Sequence, residues 1–253
     1  MRVRRLLTCA LAVVTVGALG TSPAAAIANG AVAEEGQFPY AVKLTMTGIQ
    51  PTGGTAYDSA CSAALISETW IMTAGHCFHD GDRNRVSGEP RYGVTATLGT
   101  ANTASNPGQT RSVTWVEQSP ENDIAVARLS EPVTDLAPVA LGTRQPGRGQ
   151  VLSFAGWGAT SSSGTWSEQL HWGEVKVSSV RPTTVLVKGY WPAKDTSACP
   201  YDSGAPYVDT SGPAPVLVSV ESAGPACPHR RDETTARVDV VVDWVRTVVT
   251  DLR

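Results

Sequence analysis

The chain has 253 residues, of which 42% are hydrophobic and 17% charged, and its formal net charge at pH 7 is −3. This acidic balance argues against nucleic acid or an anionic membrane surface as the main partner. The length allows one large or two small domains, and either arrangement buries a core. Glycine and proline are plentiful and polar tracts are short, so the composition indicates a globular protein.

Residues 1–26 have the pattern of a secretory signal peptide. Three arginines precede an apolar run, and the segment ends in three alanines that fit an A-x-A cleavage site. The apolar run is too short to span a membrane, and no later stretch is long and apolar enough to do so. Cleavage after Ala26 leaves a chain that begins at Ile27 with 17 basic and 23 acidic residues, a formal charge of −6. We therefore predict a secreted, extracellular protein.

The remainder of the chain is dominated by predicted β-strands. They are short, rich in β-branched residues and separated by turns of Gly, Pro, Asn and Ser, a pattern typical of an all-β barrel or sandwich. The predicted strands are 42–46, 61–66, 69–74, 94–99, 111–117, 123–129, 150–157, 173–180, 183–190, 215–220 and 236–240.

The predicted domains are separated by a proline-containing linker. Residues 130–150 contain three prolines and no sustained hydrophobic period, which indicates a connection between two barrels of similar size. The last predicted element is an α-helix that docks on the second barrel, with apolar residues on one face at Val241, Trp244, Val245, Val248 and Leu252. The expected organisation is a signal peptide at 1–26, an N-terminal β-barrel at 27–140, and a C-terminal β-barrel with its helix at 141–253.

Four cysteines remain after the predicted cleavage: Cys61, Cys77, Cys199 and Cys227. An even number in an exported chain indicates disulfide bonds. None of them has CxxC spacing, so a structural zinc site is not expected. Three pairings are possible, and closure of the shorter loops favours Cys61–Cys77 with Cys199–Cys227.

One of the four histidines has a position suited to catalysis. His76 follows an apolar strand and precedes Cys77, so a disulfide at the next residue would fix its backbone as a general base requires. His79 and His229 lie in polar segments, where we expect solvated side chains. His171 precedes a tryptophan in a predicted strand, and we expect it at the surface.

Two further residues complete a candidate triad. Asp123 opens an apolar strand, where a buried carboxylate needs hydrogen bonds; it either orients the Nδ1–H of His76 or caps the preceding turn. Ser203 stands in the Asp-Ser-Gly sequence, as a nucleophile or as an ordinary turn serine. Base, orienting acid and nucleophile then follow one of the known chain orders of serine hydrolases, and no G-x-S-x-G elbow is present.

The segments TAGHC, NDIAV and DSGAP around these three residues resemble the active-site motifs of the trypsin/chymotrypsin serine peptidase family. The residues at 27–30, 156–158 and 241–245 are similar to the mature N-terminus, a GWG segment and the C-terminal helix of that family. The resemblance implies an all-β fold of two six-stranded antiparallel β-barrels with a C-terminal α-helix and the triad between the barrels. It also implies the two disulfides that loop closure favours.

The resemblance further implies how the site is activated. Asp202 would pair with the α-amine of Ile27, and this pair would order an oxyanion hole formed by the backbone N–H groups of Tyr201 and Ser203. Tyr201 departs from the family pattern, which has glycine at this position. Because the predicted cleavage directly precedes Ile27, we expect signal peptidase itself to generate the activating amine.

The substrate pocket is expected to include Ser197, Ser219 and Glu221. By resemblance, Ser197 falls at the base of the pocket, where trypsin-like members carry an acid, and a serine there implies an uncharged or mixed preference. Glu221 falls at a wall position, while Asp232 and Glu233 approach the opposite wall. These acids either form a pocket that accepts Lys or Arg or are solvated loop charges.

The sequence thus predicts a secreted serine endopeptidase that works through an acyl-enzyme. The alternatives are an esterase with the same triad and a non-catalytic secreted binding protein of the same fold. No calcium-loop, phosphate or dinucleotide motif is found, so we expect no metal and no cofactor. We expect a protein or peptide as substrate, a proteinaceous inhibitor as a candidate second partner, a monomeric state, and neither nucleic acid nor a membrane as partner.

Overall fold

The computed structural model describes residues 27–252, so the predicted signal peptide lies outside the described residues. Within that range the chain forms fourteen strands and one α-helix, and a 3-10 turn at Gly75–Cys77 follows the fourth strand. The elements are β1 (Ala31–Val32), β2 (Ala41–Ile49), β3 (Tyr57–Leu65), β4 (Trp70–Ala74), β5 (Gly93–Leu98), β6 (Gln109–Gln118), β7 (Ile124–Leu129), β8 (Ala140–Leu141), β9 (Val151–Gly156), β10 (His171–Val180), β11 (Thr184–Trp191), β12 (Pro206–Asp209), β13 (Val216–Ala223), β14 (Glu233–Arg237) and α1 (Val242–Val248).

The first barrel closes in the order β2-β3-β4-β7-β6-β5, with every neighbouring pair antiparallel. Its six strands were all predicted, with ends that differ by at most four residues. The five residues of β4 are all buried, and this strand also contacts β13 of the second barrel. Burial of such apolar side chains, at about 25 cal/mol per Å², is the main stabilisation of the barrel.

The second barrel consists of β9, β10, β11, β14, β13 and β12, and it closes where β12 pairs with β9. The short strands β1 and β8 add to it, β1 beside β10 and β8 parallel to β13. The sequence did not predict β1, β8 or β12, which are two to four residues long and too short to show alternation. The predicted fold class, two six-stranded antiparallel barrels with a C-terminal α-helix, is confirmed.

Both ends of the described chain cross to the other barrel. Ala28 pairs with Ser197 of the second barrel through N–H···O distances of 3.0 and 3.2 Å, although the first barrel follows it in sequence. Beyond the helix, the carboxylate of Asp251 accepts hydrogen bonds from the Ser67 and Thr69 hydroxyls at 3.0 and 2.8 Å, in the β3–β4 turn. Each contact ties one end of the described chain to the barrel formed by the other half of the sequence.

The C-terminal helix is shorter than its apolar pattern predicted. It covers only Val242–Val248, since the many β-branched valines lower helix propensity. Val245 is fully buried, and Trp244 is partly buried against a core cluster that contains residues of both barrels. None of the helical structure in residues 27–252 is long and apolar enough to cross a membrane.

Candidate active site

His76 is held by the polypeptide on both sides. It follows β4 in the 3-10 turn Gly75–Cys77, and Cys77 is disulfide-bonded to Cys61 of β3, as predicted. The His76 backbone N–H donates to Asp123 Oδ1 at 2.9 Å. The imidazole remains about 43% exposed. The backbone is therefore fixed, while the ring reaches the solvent in the cleft.

The Asp123 carboxylate is surrounded by hydrogen-bond donors. Its Oδ2 lies 2.8 Å from His76 Nδ1 and accepts the Ser222 hydroxyl at 2.7 Å. Burial raises the pKa of Asp123, but the hydrogen bonds and charge of His76 and the hydroxyl of Ser222 outweigh it, and the pKa lies below its ordinary value. Because an ionised carboxylate only accepts, the His76 proton is on Nδ1 and Nε2 is free to accept.

Ser203 completes a continuous series of side-chain contacts. Its Oγ lies 2.8 Å from His76 Nε2, and its carbonyl accepts the N–H of Ser62 in the first barrel at 2.8 Å. The following Gly204 has φ +81°, and a Cβ there would lie 2.0 Å from Thr73 Oγ1, so only glycine fits. The three residues that the motifs singled out thus meet at the junction of the barrels.

The turn before Ser203 contains an unusual tyrosine. Tyr201 has φ +75°, a left-handed conformation that favours glycine and is costly for other residues. The ring of Trp166 packs edge-on against it with centroids 5.3 Å apart. Within residues 27–252, no acceptor takes the N–H of Tyr201 or Ser203. Both N–H groups are therefore available to an oxygen atom in the cleft.

The Asp202 side chain points away from the cleft into the second barrel. It is fully buried and accepts the backbone N–H groups of Gly158 and Cys199 at 2.8 and 2.9 Å. Burial, and to a lesser extent the charge of Glu233, raises the pKa of Asp202 well above its ordinary value. A Cβ at Gly156 or Gly158 would lie within 2.4 Å of this carboxyl group, which explains why the GWG segment needs glycine at both ends.

Ile27 lies in the same barrel as Asp202, with its side chain fully buried. Its nitrogen is part of a peptide bond in the full chain, so the pair between an Ile27 amine and Asp202 stays a prediction. The second disulfide, Cys199–Cys227, connects the turn before Ser203 to the loop between β13 and β14 and confirms the predicted pairing.

A cavity of about 370 Å³ opens next to Ser203. Of the three predicted pocket residues, only Glu221 lines it. Ser197 and Ser219 are buried: the Ser197 hydroxyl oxygen accepts the backbone N–H of His229 at 3.2 Å, and that of Ser219 accepts the Thr235 hydroxyl at 2.8 Å. The cavity is lined by Ser162, Ala198, Cys199, Pro200, Ser203, Glu221, Ser222, Ala223, Gly224, Pro225 and Ala226.

The acids predicted near the pocket separate into two groups. Asp232 faces outward, where it accepts the Ser178 hydroxyl and lies 3.7 Å from Lys188 Nζ. Glu221 and Glu233 are both buried, and the hydroxyl of Tyr207 lies between them, 2.7 Å from Glu221 Oε2 and 2.8 Å from Glu233 Oε2. The interpretation as solvated loop charges therefore does not hold for the two glutamates.

The expectations for the other histidines were wrong. His79 and His171 are 4% and 2% exposed, because the segment after β4 folds back on the first barrel and the start of β10 is covered by β1 and β9. The His229 side chain is 6% exposed, with Nε2 3.3 Å from Glu233 Oε1. Polar sequence neighbours suggested solvation for His79 and His229, and strand position suggested it for His171, but long-range packing decides burial.

Comparison with known proteins covers almost the whole described chain. The family model described as Trypsin matches residues 27–245. Serine protease 56 from Mus musculus is 29% identical over 244 residues, covering 87% of this chain and 38% of that protein. Putative trypsin-6 from Homo sapiens is 27% identical, covering 88% and 89%, and serine protease SP24D from Anopheles gambiae is 27% identical, covering 89% and 82%. The chain spans only 21% of transmembrane protease serine 9 from Rattus norvegicus.

Proposed function

The chain belongs to the trypsin family of serine peptidases, and from this premise we propose that it is a secreted serine endopeptidase with His76, Asp123 and Ser203 as its catalytic residues. The observation that carries the proposal is the hydrogen-bonded series from Asp123 through His76 to Ser203, with both side-chain distances at 2.8 Å. Such a series, with base and nucleophile in contact and the base oriented by a third group, is what acyl transfer by serine requires.

In the proposed reaction, Ser203 Oγ attacks the carbonyl carbon of the scissile bond while His76 Nε2 takes its proton. The new oxyanion accepts hydrogen bonds from the N–H groups of Tyr201 and Ser203. Each such donor typically contributes about 2.7–4 kcal/mol to the transition state. His76 then gives the proton to the leaving amine, and a water molecule repeats the steps on the acyl-enzyme to release the acid.

We propose that export and activation are one event. Cleavage after Ala26 would free the Ile27 amine, and its cation would compensate the buried Asp202 carboxylate. The burial of Ile27, the complete burial of Asp202 and the two disulfides support this. N-terminal sequencing of the active form should begin at Ile27; residues ahead of Ile27 would contradict the proposal.

The catalytic roles are tested with a fluorophosphonate probe, which reacts quickly only with an activated serine. We expect stoichiometric labelling at Ser203 in the wild-type protein and none in Ser203→Ala or His76→Ala. Ser211→Ala, a substitution at an exposed serine, is the matched control and should label normally. A folded wild-type protein that is not labelled would instead support the non-catalytic binding protein.

One observation favours the esterase as the second candidate. Tyr201 and Trp166 place two aromatic rings beside the turn that holds the oxyanion donors, where glycine would leave space for a peptide leaving group. Comparing kcat/KM for an ester and an amide of the same acyl group separates the two functions. An endopeptidase should cleave peptides internally, whereas an esterase should show no measurable peptide cleavage.

A further inference from the structure

The base of the cavity next to Ser203 is built from side chains that the triad does not use. Glu221 of β13 lines the cavity, and Glu233 of the neighbouring strand β14 lies behind Gly224 of the cavity wall. Both glutamates are buried, at 3% and 2% exposure, and Tyr207 of β12 joins their carboxyl groups through its hydroxyl. We call Glu221, Tyr207 and Glu233 the pocket base.

The hydrogen atoms of the pocket base can be counted. A tyrosine hydroxyl carries one proton, so it donates to only one of the two carboxyl groups. The other contact, at hydrogen-bond distance, requires a proton on that carboxyl group, because two acceptors facing each other in a buried place are unfavourable.

The surroundings identify which glutamate carries the proton. Glu233 Oε1 already accepts the Ala198 backbone N–H at 2.7 Å, so this carboxyl group acts as a hydrogen-bond acceptor. Glu221 has no comparable donor besides Tyr207. Burial, followed by the nearby charge of Glu233, raises the pKa of Glu221 well above its ordinary value. The protonated member of the pocket base is therefore Glu221.

The cavity wall contains no positive charge. Its lining consists of serine, alanine, proline, glycine and a disulfide cysteine around Glu221. A guest that suits this arrangement is apolar where it contacts the wall and cationic at its end, because the cation would meet the Glu221 carboxyl group with Glu233 behind it.

We propose that Glu221 and Glu233 are the specificity-determining residues of the cavity, and that entry of a cationic side chain is coupled to release of the proton that the pocket base holds. The inference rests on the proposed function in one respect: the guest is taken to be the residue before the scissile bond. In the step, the Glu221 carboxyl group loses its proton to solvent and the carboxylate pairs with the ammonium or guanidinium group.

The groups that face Glu221 set the direction of the pH effect. They are Tyr207 from β12, Glu233 from β14 and Asp202 from the turn before Ser203, while His229 lies on the far side, 3.3 Å from Glu233 Oε1. The cation binds the ionised form of Glu221. Affinity should therefore rise with pH while free Glu221 is protonated, by up to about tenfold per pH unit, and level off above that range.

The test uses benzamidine, an aromatic cation, and its neutral near-isostere benzamide, in isothermal titration calorimetry from pH 5 to 9. We expect the mature chain to bind benzamidine at least about 30-fold more tightly than benzamide at the alkaline end. Titrations in buffers of different ionisation enthalpy should show release of nearly one proton per benzamidine in the range where affinity rises.

Two variants identify the group responsible. Glu221→Gln should bind benzamidine more weakly and lose the proton release, while Glu131→Gln, at an exposed loop position, should match the wild type. If Glu221→Gln fails to fold, the buffer dependence of the wild type still decides the question. Equal binding of benzamidine and benzamide, or benzamidine binding without proton release, would overturn the proposal.

The same titration on Ser203→Ala separates this inference from the proposed function. Proton-coupled binding of benzamidine supports the pocket base whether or not wild-type Ser203 is labelled by a fluorophosphonate. Conversely, a protein that is labelled at Ser203 but binds both probes equally would keep the peptidase proposal and overturn the pocket base.

Discussion

The site contains two sets of buried acidic side chains that behave in opposite ways. Asp123 receives hydrogen bonds from the backbone and ring of His76 and from Ser222, and its pKa is lowered despite burial. Glu221 is buried against a second glutamate with one hydroxyl between them, and its pKa is raised. Two adjacent residues of β13 therefore take part in opposite effects: Ser222 helps to lower the pKa of Asp123, while the pKa of Glu221 itself is raised. The direction of each pKa shift therefore depends on the balance between burial and the hydrogen bonds and charges around the carboxyl group.

The largest expected effect comes from removing the charge of Asp123, the carboxyl group that the hydrogen bonds stabilise. Asp123→Asn removes the acceptor that keeps the His76 proton on Nδ1, so the ring can present the wrong tautomer to Ser203. We expect kcat to fall about 10⁴-fold with KM little changed. Asp243→Asn, at a side chain that is 98% exposed, is the matched control. Steady-state kinetics on an ester substrate measure the effect, and a loss of less than tenfold would contradict the role of Asp123.

The second prediction contrasts the pH dependence of stability. Glu221 has a raised pKa in the folded chain, so above its ordinary pKa folding must take up a proton, and stability decreases as pH rises towards the folded value. Glu221→Gln needs no proton and should gain on the wild type by up to about 1.4 kcal/mol per pH unit in that window.

The same experiment with Asp123→Asn should give the opposite trend. The folded pKa of Asp123 is lowered, so its stabilisation is present above the ordinary value and is lost as pH falls. The difference between wild type and Asp123→Asn should therefore shrink towards low pH. Urea unfolding at pH 4, 6 and 8 measures both variants, and parallel curves for the two would refute the contrast.

Ser222 gives a smaller effect because it is one of three donors to Asp123. Ser222→Ala should raise the pKa of Asp123 and lower kcat/KM by about tenfold, as expected for one hydrogen bond to a charged group. Ser179→Ala, at an exposed position of β10, should have no effect. A pH–rate profile of each variant is the measurement. If kcat/KM of Ser222→Ala equals that of the wild type, the backbone N–H and the ring Nδ1–H of His76 are enough to hold the Asp123 carboxylate.

The smallest expected effect is at Tyr201. Replacement by glycine removes the cost of a left-handed tyrosine, about 1–2 kcal/mol, but also the edge-on contact with Trp166, which contributes about 0.5–1.5 kcal/mol. The two changes oppose each other, so we expect the free energy of unfolding of Tyr201→Gly to change by less than about 1 kcal/mol. A double-mutant cycle with Trp166→Ala should reveal the coupling, and additive effects would exclude it.

The sequence predicted the fold, and it singled out the three residues of the proposed triad, because both leave local signals. Strands of the first barrel alternate and end in turn residues, and His76, Asp123 and Ser203 each stand in a recognisable motif. Ser222 was missed, although it too contacts Asp123. It stands three residues after Ser219, which was placed in the pocket instead, and β13 gives no local sign of which serine faces the cleft.

The contacts of Tyr207 with Glu221 and Glu233 could not be predicted for a related reason. Glu221, Tyr207 and Glu233 are each ordinary residues in separate strands, and they meet only through the register of β12 and β14 on β13. Register between strands distant in sequence depends on long-range packing, not on a local pattern. His229 was assigned to solvent for the same reason, since its loop reads as polar but folds over Glu233.

The crossing of the chain ends has a consequence for how this protein comes into being. Ala28 rests on the barrel that is synthesised last, and Asp251 fastens the barrel that is synthesised first. Each barrel contacts a short segment from the opposite end of the chain. His76 and Ser203 therefore meet only after nearly the whole chain has been synthesised. The proposed catalytic site is therefore assembled only when both barrels are in place.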